Sequence, residues 1–118
     1  MRNLVLIRLD PSKAPEQGPD EKLMADMNTL IEEMTKAGVL LDTAGLRPTE
    51  EGTRIHQVDG KQTVIDGPFT ESKEIIGGYC LLQTRSTAEA VEWASRFLRV
   101  HGPEWDIEVE VRQLADQD

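Results

Sequence analysis

Apolar and polar positions along this chain follow two periods, and the alternation between them marks out the elements. From Asn3 to Leu9, Leu4 and Leu6 fall on one side of an extended backbone and Val5, Ile7 and Leu9 on the other. A strand that is apolar on both sides needs cover on both. The stretch Asp10 to Pro19, with Pro11, Pro15, Gly18 and Pro19, reads as a loop. Asp20 is a suitable N-cap for a helix in which Leu23, Met27, Leu30, Ile31 and Met34 form one apolar stripe. Glu32 and Lys36 lie four apart on its exposed side, and Gly38 suits the left-handed position past the helix end. A second strand starts at Val39 to Leu41. Thr53 to Val58 and Lys61 to Ile65 flank Asp59-Gly60, a strong hairpin signal.

Ile75 to Gln83 is the next strand and contains Gly77-Gly78. Glycines inside a strand mark a bulge, or else a close approach by backbone or ligand. Ser86 with Glu89 three residues on has the form of a capping box. The helix it opens carries Ala90, Val91, Ala94, Phe97 and Leu98 as its apolar stripe, with Trp93 off that stripe, on the rim or facing a partner. His101-Gly102-Pro103 ends the helix. In the closing strand Ile107, Val109 and Val111 point inward while Glu108, Glu110 and Arg112 point the other way.

The order strand, helix, strand, hairpin, strand, helix, strand predicts an α+β domain, a ferredoxin-like split βαβ with an inserted β-hairpin. Two helices cover one face of such a sheet. The first strand asks for cover on the second face too, and a second copy packed sheet to sheet across a two-fold axis supplies it. A homodimer is therefore expected. The 118 residues fit a single domain spanning 1–118.

Charge narrows the function classes. With 22 acidic against 13 basic residues the formal net charge is −9, which argues against direct binding to nucleic acid or to an anionic membrane. The one cysteine, Cys80, lies in the apolar run Tyr79-Cys80-Leu81-Leu82 and allows no intrachain disulfide. The opening residues hold too short an apolar stretch for a signal peptide, nothing approaches transmembrane length, and the expected location is cytoplasmic.

The most distinctive segment is Val64-Ile65-Asp66-Gly67-Pro68-Phe69-Thr70-Glu71-Ser72-Lys73-Glu74-Ile75-Ile76-Gly77-Gly78-Tyr79. It resembles the signature of the YCII-related family, in its DGPF-domain branch. Gly38-Val39-Leu40-Leu41 with Gly45-Leu46-Arg47-Pro48, Glu89-Ala90-Val91-Glu92-Trp93-Ala94, and Ile107-Glu108-Val109-Glu110-Val111-Arg112 extend the likeness over nearly the whole chain. The resemblance implies a dimeric α/β barrel. It implies little about activity: many DGPF-domain proteins have no assigned reaction, some accompany extracytoplasmic-function sigma factors, and some members of the wider group are dehydrochlorinases of chlorinated hydroxyquinols. Shorter members carry a histidine near the start of the first helix, paired with an aspartate as a suspected catalytic dyad. This chain has Asp20-Glu21-Lys22-Leu23-Met24 there, so the dyad does not carry over.

The residue types leave two readings of the signature. Asp66-Gly67-Pro68 suits a tight turn, with Phe69 anchoring it. Alternatively, Asp66 and Glu71 line a cleft as acid or base. Histidine is the natural general base near neutral pH, so Asp66, His56 and His101 are the catalytic candidates. A bland role is available to each histidine: His56 alternates with Ile55 on the hairpin, and His101 suits a helix C-terminus. Arg54, Phe69, Glu71, Lys73, Gly77 and Gly78 are the candidate binding residues, with Arg47 a further cation for an anionic ligand. The two histidines and the cysteine lack the spacing of a metal site, and no phosphate-cradling glycine loop is present; no metal and no cofactor are expected.

Three functions fit these features. One is a cofactor-independent small-molecule enzyme of the lyase or isomerase kind. Another is a non-catalytic ligand-binding or regulatory module associated with sigma-factor transcription control, with Trp93 and Trp105 as partner-facing candidates. The third is a dimeric scaffold with a degenerate pocket. Fold analogy does not separate them.

Overall fold

The structure is a computed structural model that describes residues 1–69 and 74–115. They form strands β1 (Arg2–Leu9), β2 (Leu40–Gly45), β3 (Thr53–Val58), β4 (Lys61–Asp66), β5 (Ile75–Gln83) and β6 (Ile107–Gln113), and helices α1 (Glu21–Lys36) and α2 (Thr87–His101). Single 3-10 turns follow β1 (Pro11–Lys13) and precede β3 (Thr49–Glu51). The protein is thus α+β, as its periodicity predicts. The main sheet has the order β2-β5-β1-β6, antiparallel throughout, and β3-β4 is a separate hairpin.

Local chemistry sets the element ends. The Asp20 carboxylate accepts from the Leu23 amide at 2.8 Å, and the Ser86 hydroxyl from the Glu89 amide at 3.1 Å. Past α1, Gly38 takes φ +73°, and the Val39 amide returns to the Met34 carbonyl at 2.9 Å. That return bond satisfies a helix-end carbonyl as the glycine signal requires. The hairpin turns on Asp59 (φ 51°) and Gly60 (φ 77°), with Ile55 opposite Val64.

Both helices cover the same face of the sheet. Val5, Cys80 and Leu82 from the strands meet Leu30 and Met34 of α1 and Ala90 and Ala94 of α2 in one core. The two alanines let α2 approach closely, and Trp93 packs against that core. Trp93 is therefore a core-flanking residue on the stripe Ala90-Trp93-Ala94-Phe97, and Val91, read as part of the stripe, is 49% exposed. Trp105 stands edge-on to His101. Asn3, on the same inward side of β1, is fully buried, and neither side-chain polar atom has a protein hydrogen-bond partner.

Burial pushes the Cys80 thiol up from its ordinary pKa, and the Thr43 hydroxyl 3.3 Å away only partly offsets this. An inert thiol follows. Ellman's reagent at pH 8 is expected to leave native Cys80 unlabelled while labelling it at once in urea; fast labelling of the native protein would contradict this packing.

The opposite face carries Leu4, Leu6 and Arg8 of β1 beside Leu81, Tyr79 and Ile76 of β5, with Glu108, Glu110 and Arg112 along β6. No helix lies over it: among the described residues both helices pack on the other side. The Tyr79 hydroxyl donates to Asp42 at 2.8 Å across to β2. Among the described residues, no helix is long and apolar enough to cross a membrane.

Candidate functional site

The signature segment is fastened to the hairpin root by backbone. Gly67 donates its amide to the Gly52 carbonyl at 2.9 Å, and a β-carbon at Gly67 would lie 1.9 Å from the Thr49 carbonyl oxygen. Only glycine fits so close an approach. The Gly67–Pro68 peptide is cis. Asp66 closes the end of β4, its carboxylate accepting from the Thr53 hydroxyl at 3.1 Å on the paired strand. Phe69 then lies against Gly52, and the Arg54 guanidinium sits over its ring at 3.9 Å from the centroid. Cation–π stacking of this kind fixes the plane of a guanidinium.

This fastened loop forms one wall of a cleft of about 350 Å³. Thr49, Arg54 and Phe69 come from the hairpin side, Arg8 and Ile76 from the uncovered sheet face, and Glu74 completes the lining with Ile75. The bulge in β5 makes this wall. Ile7 pairs with Gly78, but Arg8 pairs with Ile76, so Gly77 is the extra residue. The slip brings Ile76 to the same face as Arg8. Both glycines have steric reasons to be there: a β-carbon at Gly77 would meet Leu9 at 2.5 Å, and one at Gly78 the Ala44 carbonyl at 2.8 Å. Arg8 is steadied by Glu110, 3.3 Å away across the strand pair. The site thus sets two guanidiniums, a hydroxyl and a carboxylate around an aromatic ring and an aliphatic side chain.

Both walls lie within the stretch that matches a known family. Residues 1–103 match the YCII-related domain. The chain belongs to the YCII-related family. A curated relative, an uncharacterized protein of Rhizobium meliloti (strain 1021), is 35% identical over 75 residues, which make up 64% of this chain. The match spans 60% of the length of that relative.

In this YCII-related protein, Arg54 and Phe69 stand together in the cleft wall, while Gly77 and Gly78 shape the bulge beneath it. Asp66, His56 and His101 do not line the cleft. His56 is exposed on β3 opposite Thr63. His101 binds the Phe97 carbonyl through Nδ1 at 2.8 Å and packs between Phe97 and Trp105, so it finishes α2. Arg47 pairs with Glu51 on the surface at 3.0 Å. Glu71 and Lys73 lie outside the described residues. Among the described residues, no group of three or more histidine, cysteine or acidic side chains is placed to hold a metal ion. Arg8, Thr49, Glu74, Ile75 and Ile76 are the cleft residues that sequence reasoning missed. Arg8 carried a signal, being the charge that interrupts the apolar side shared with Leu4 and Leu6.

Proposed function

We propose that this protein is a homodimer that binds a small organic acid in the cleft, with the carboxylate or a like anion between Arg8 and Arg54. The observation that carries this reading is the Arg54–Phe69 stack facing Arg8 and Ile76 across the cleft. Held guanidiniums bind planar anions with directional, charge-assisted bonds, and the ring and aliphatic wall suit an apolar body. The volume matches the small end of ligand pockets. The dimer is supported by the uncovered strip of Leu4, Leu6, Tyr79 and Leu81. The β2-β5-β1-β6 order supports a ferredoxin-like sheet, and with it a barrel closed between two copies.

Benzoate is a suitable probe, with benzamidine as its cationic counterpart. Calorimetry is expected to show saturable benzoate binding, no benzamidine binding, and a loss of roughly ten-fold or more in Arg54→Gln, the cost of one charge-assisted bond. Equal affinity in Arg54→Gln, or the same response to both probes, would remove the anion site.

Glu74 favours a second reading, since it places a carboxylate beside the bound acid, where a general base would work without a cofactor. In that reading Glu74, not Asp66 or a histidine, takes the proton. Hydrogen–deuterium exchange at carbon next to the carboxylate of a bound acid would be catalysed by the native protein and not by Glu74→Gln.

A further inference from the structure

The β3–β4 hairpin has an unusual setting. All twelve of its strand residues are exposed, including Ile55 at 65%, Val64 at 63%, Val58 at 54% and Ile65 at 46%. A two-stranded ribbon is marginal at best in water without a surface to pack on. The chain is also spread out: its radius of gyration is 16.3 Å and its extents are 46 × 44 × 18 Å, whereas a compact domain of this length has a radius near about 13 to 14 Å.

The two hairpin faces differ. One carries Thr53, Ile55, Gln57, Gln62, Val64 and Asp66. The other carries Arg54, His56, Val58, Lys61, Thr63 and Ile65, and so holds two formal positive charges and no acid in a chain of net charge −9. At its root, Arg54 reaches the cleft whose far wall is Arg8 and Ile76 of the uncovered sheet face. The basic hairpin face and the apolar sheet strip therefore adjoin.

We infer that the hairpin is an arm that packs through its Arg54–Val58–Ile65 face onto a second copy of this chain, an inference that rests on the sheet-to-sheet dimer proposed above. A two-fold axis running along the strands lays the β2 edge of one copy, near which the arm springs, over the β6 edge of the other. That edge presents Glu108 on the same face, a match for Lys61 of the arm, while Glu110 is already paired with Arg8 and Arg112. The arm gains the surface it lacks, the dimer gains contact beyond the sheet strip, and the cleft at the arm's root comes to lie between the two copies.

Sedimentation velocity on paired variants tests this. Val58→Ser with Ile65→Ser is expected to weaken the dimer at least about ten-fold, as the loss of two buried aliphatic side chains does. Ile55→Ser with Val64→Ser removes similar apolar bulk from the opposite face and is expected to change association by less than about three-fold. Because both pairs strip the ribbon of aliphatic side chains, a general loss of hairpin structure would weaken the two alike, and that result would overturn the inference. An unaltered dimer in Val58→Ser with Ile65→Ser would overturn it while leaving the sheet-to-sheet dimer intact. A native protein that stays monomeric would remove both.

Discussion

Gly67→Ala is expected to unfasten the signature loop and abolish benzoate binding, at a cost to stability of about 3 kcal/mol, the upper part of the range for an overpacked site. The new β-carbon would lie 1.9 Å from the Thr49 carbonyl oxygen and 2.9 Å from its carbon. Both are backbone atoms of the 3-10 turn, so no rotamer change relieves the overlap. Relief requires the loop to move off the turn, breaking the Gly67 amide bond to Gly52 and withdrawing Phe69 from beneath Arg54. The anion site would then lose one guanidinium's support and one wall together. Gly45→Ala is the control: its β-carbon would meet nothing closer than 4.0 Å, and its φ is not positive, so it is expected to stay within about 0.5 kcal/mol of the native protein. Urea unfolding and calorimetry read both variants. Native stability and native benzoate affinity in Gly67→Ala would show that the loop does not hold the cleft.

Much of this architecture is legible in the sequence because its signals are local. The alternation of Ile107, Val109 and Val111 with charged residues places β6 and its inward face, and register confirms it: these three pair with Leu9, Ile7 and Val5. Asp59-Gly60 fixes the hairpin because its turn needs positive φ at both residues, and Gly77-Gly78 marks the bulge because a β-carbon at either would strike a neighbour. The cleft is different. Arg8 and Arg54 come together through the sheet order and a turn packed on Gly67, and no spacing along the chain encodes that meeting. The histidines drew attention by residue type alone, yet His101 is occupied in closing α2. Trp93 lies off the stripe Ala90, Val91, Ala94, Phe97 and Leu98 that the spacing predicts, yet it packs against the core while Val91 is exposed, because the small Ala90 and Ala94 let the sheet come close and turn the indole toward it. Parity does place Asn3 inward, but nothing in the pattern announces a buried amide whose two polar atoms have no protein partner.

Leu6→Lys separates folding from association. Leu6 lies in the middle of the uncovered strip, paired with Tyr79 on one side and Glu110 on the other, and is half-buried within the chain. Directly opposed strand residues stand about 5 Å apart, so a lysine there meets the Glu110 carboxylate, and its long stem still covers the neighbouring apolar surface. The folded subunit is therefore expected to survive, with an unfolding midpoint close to that of native subunits measured at equal dilution. Packed against a second sheet, the same ammonium would have to leave water beside its symmetry mate. Glu110 is already shared between Arg8 and Arg112, and a buried charge without adequate compensation costs about 3 kcal/mol or more, which is at least about 100-fold in association. Val91→Lys, on the exposed side of α2, adds the same charge away from the strip and should leave association unchanged. Sedimentation velocity at micromolar concentration distinguishes the 13.2 kDa subunit from its dimer. If Leu6→Lys dimerises as tightly as the native chain, the strip is not the interface, and the leucines of β1 and β5 must be covered by something other than a second copy.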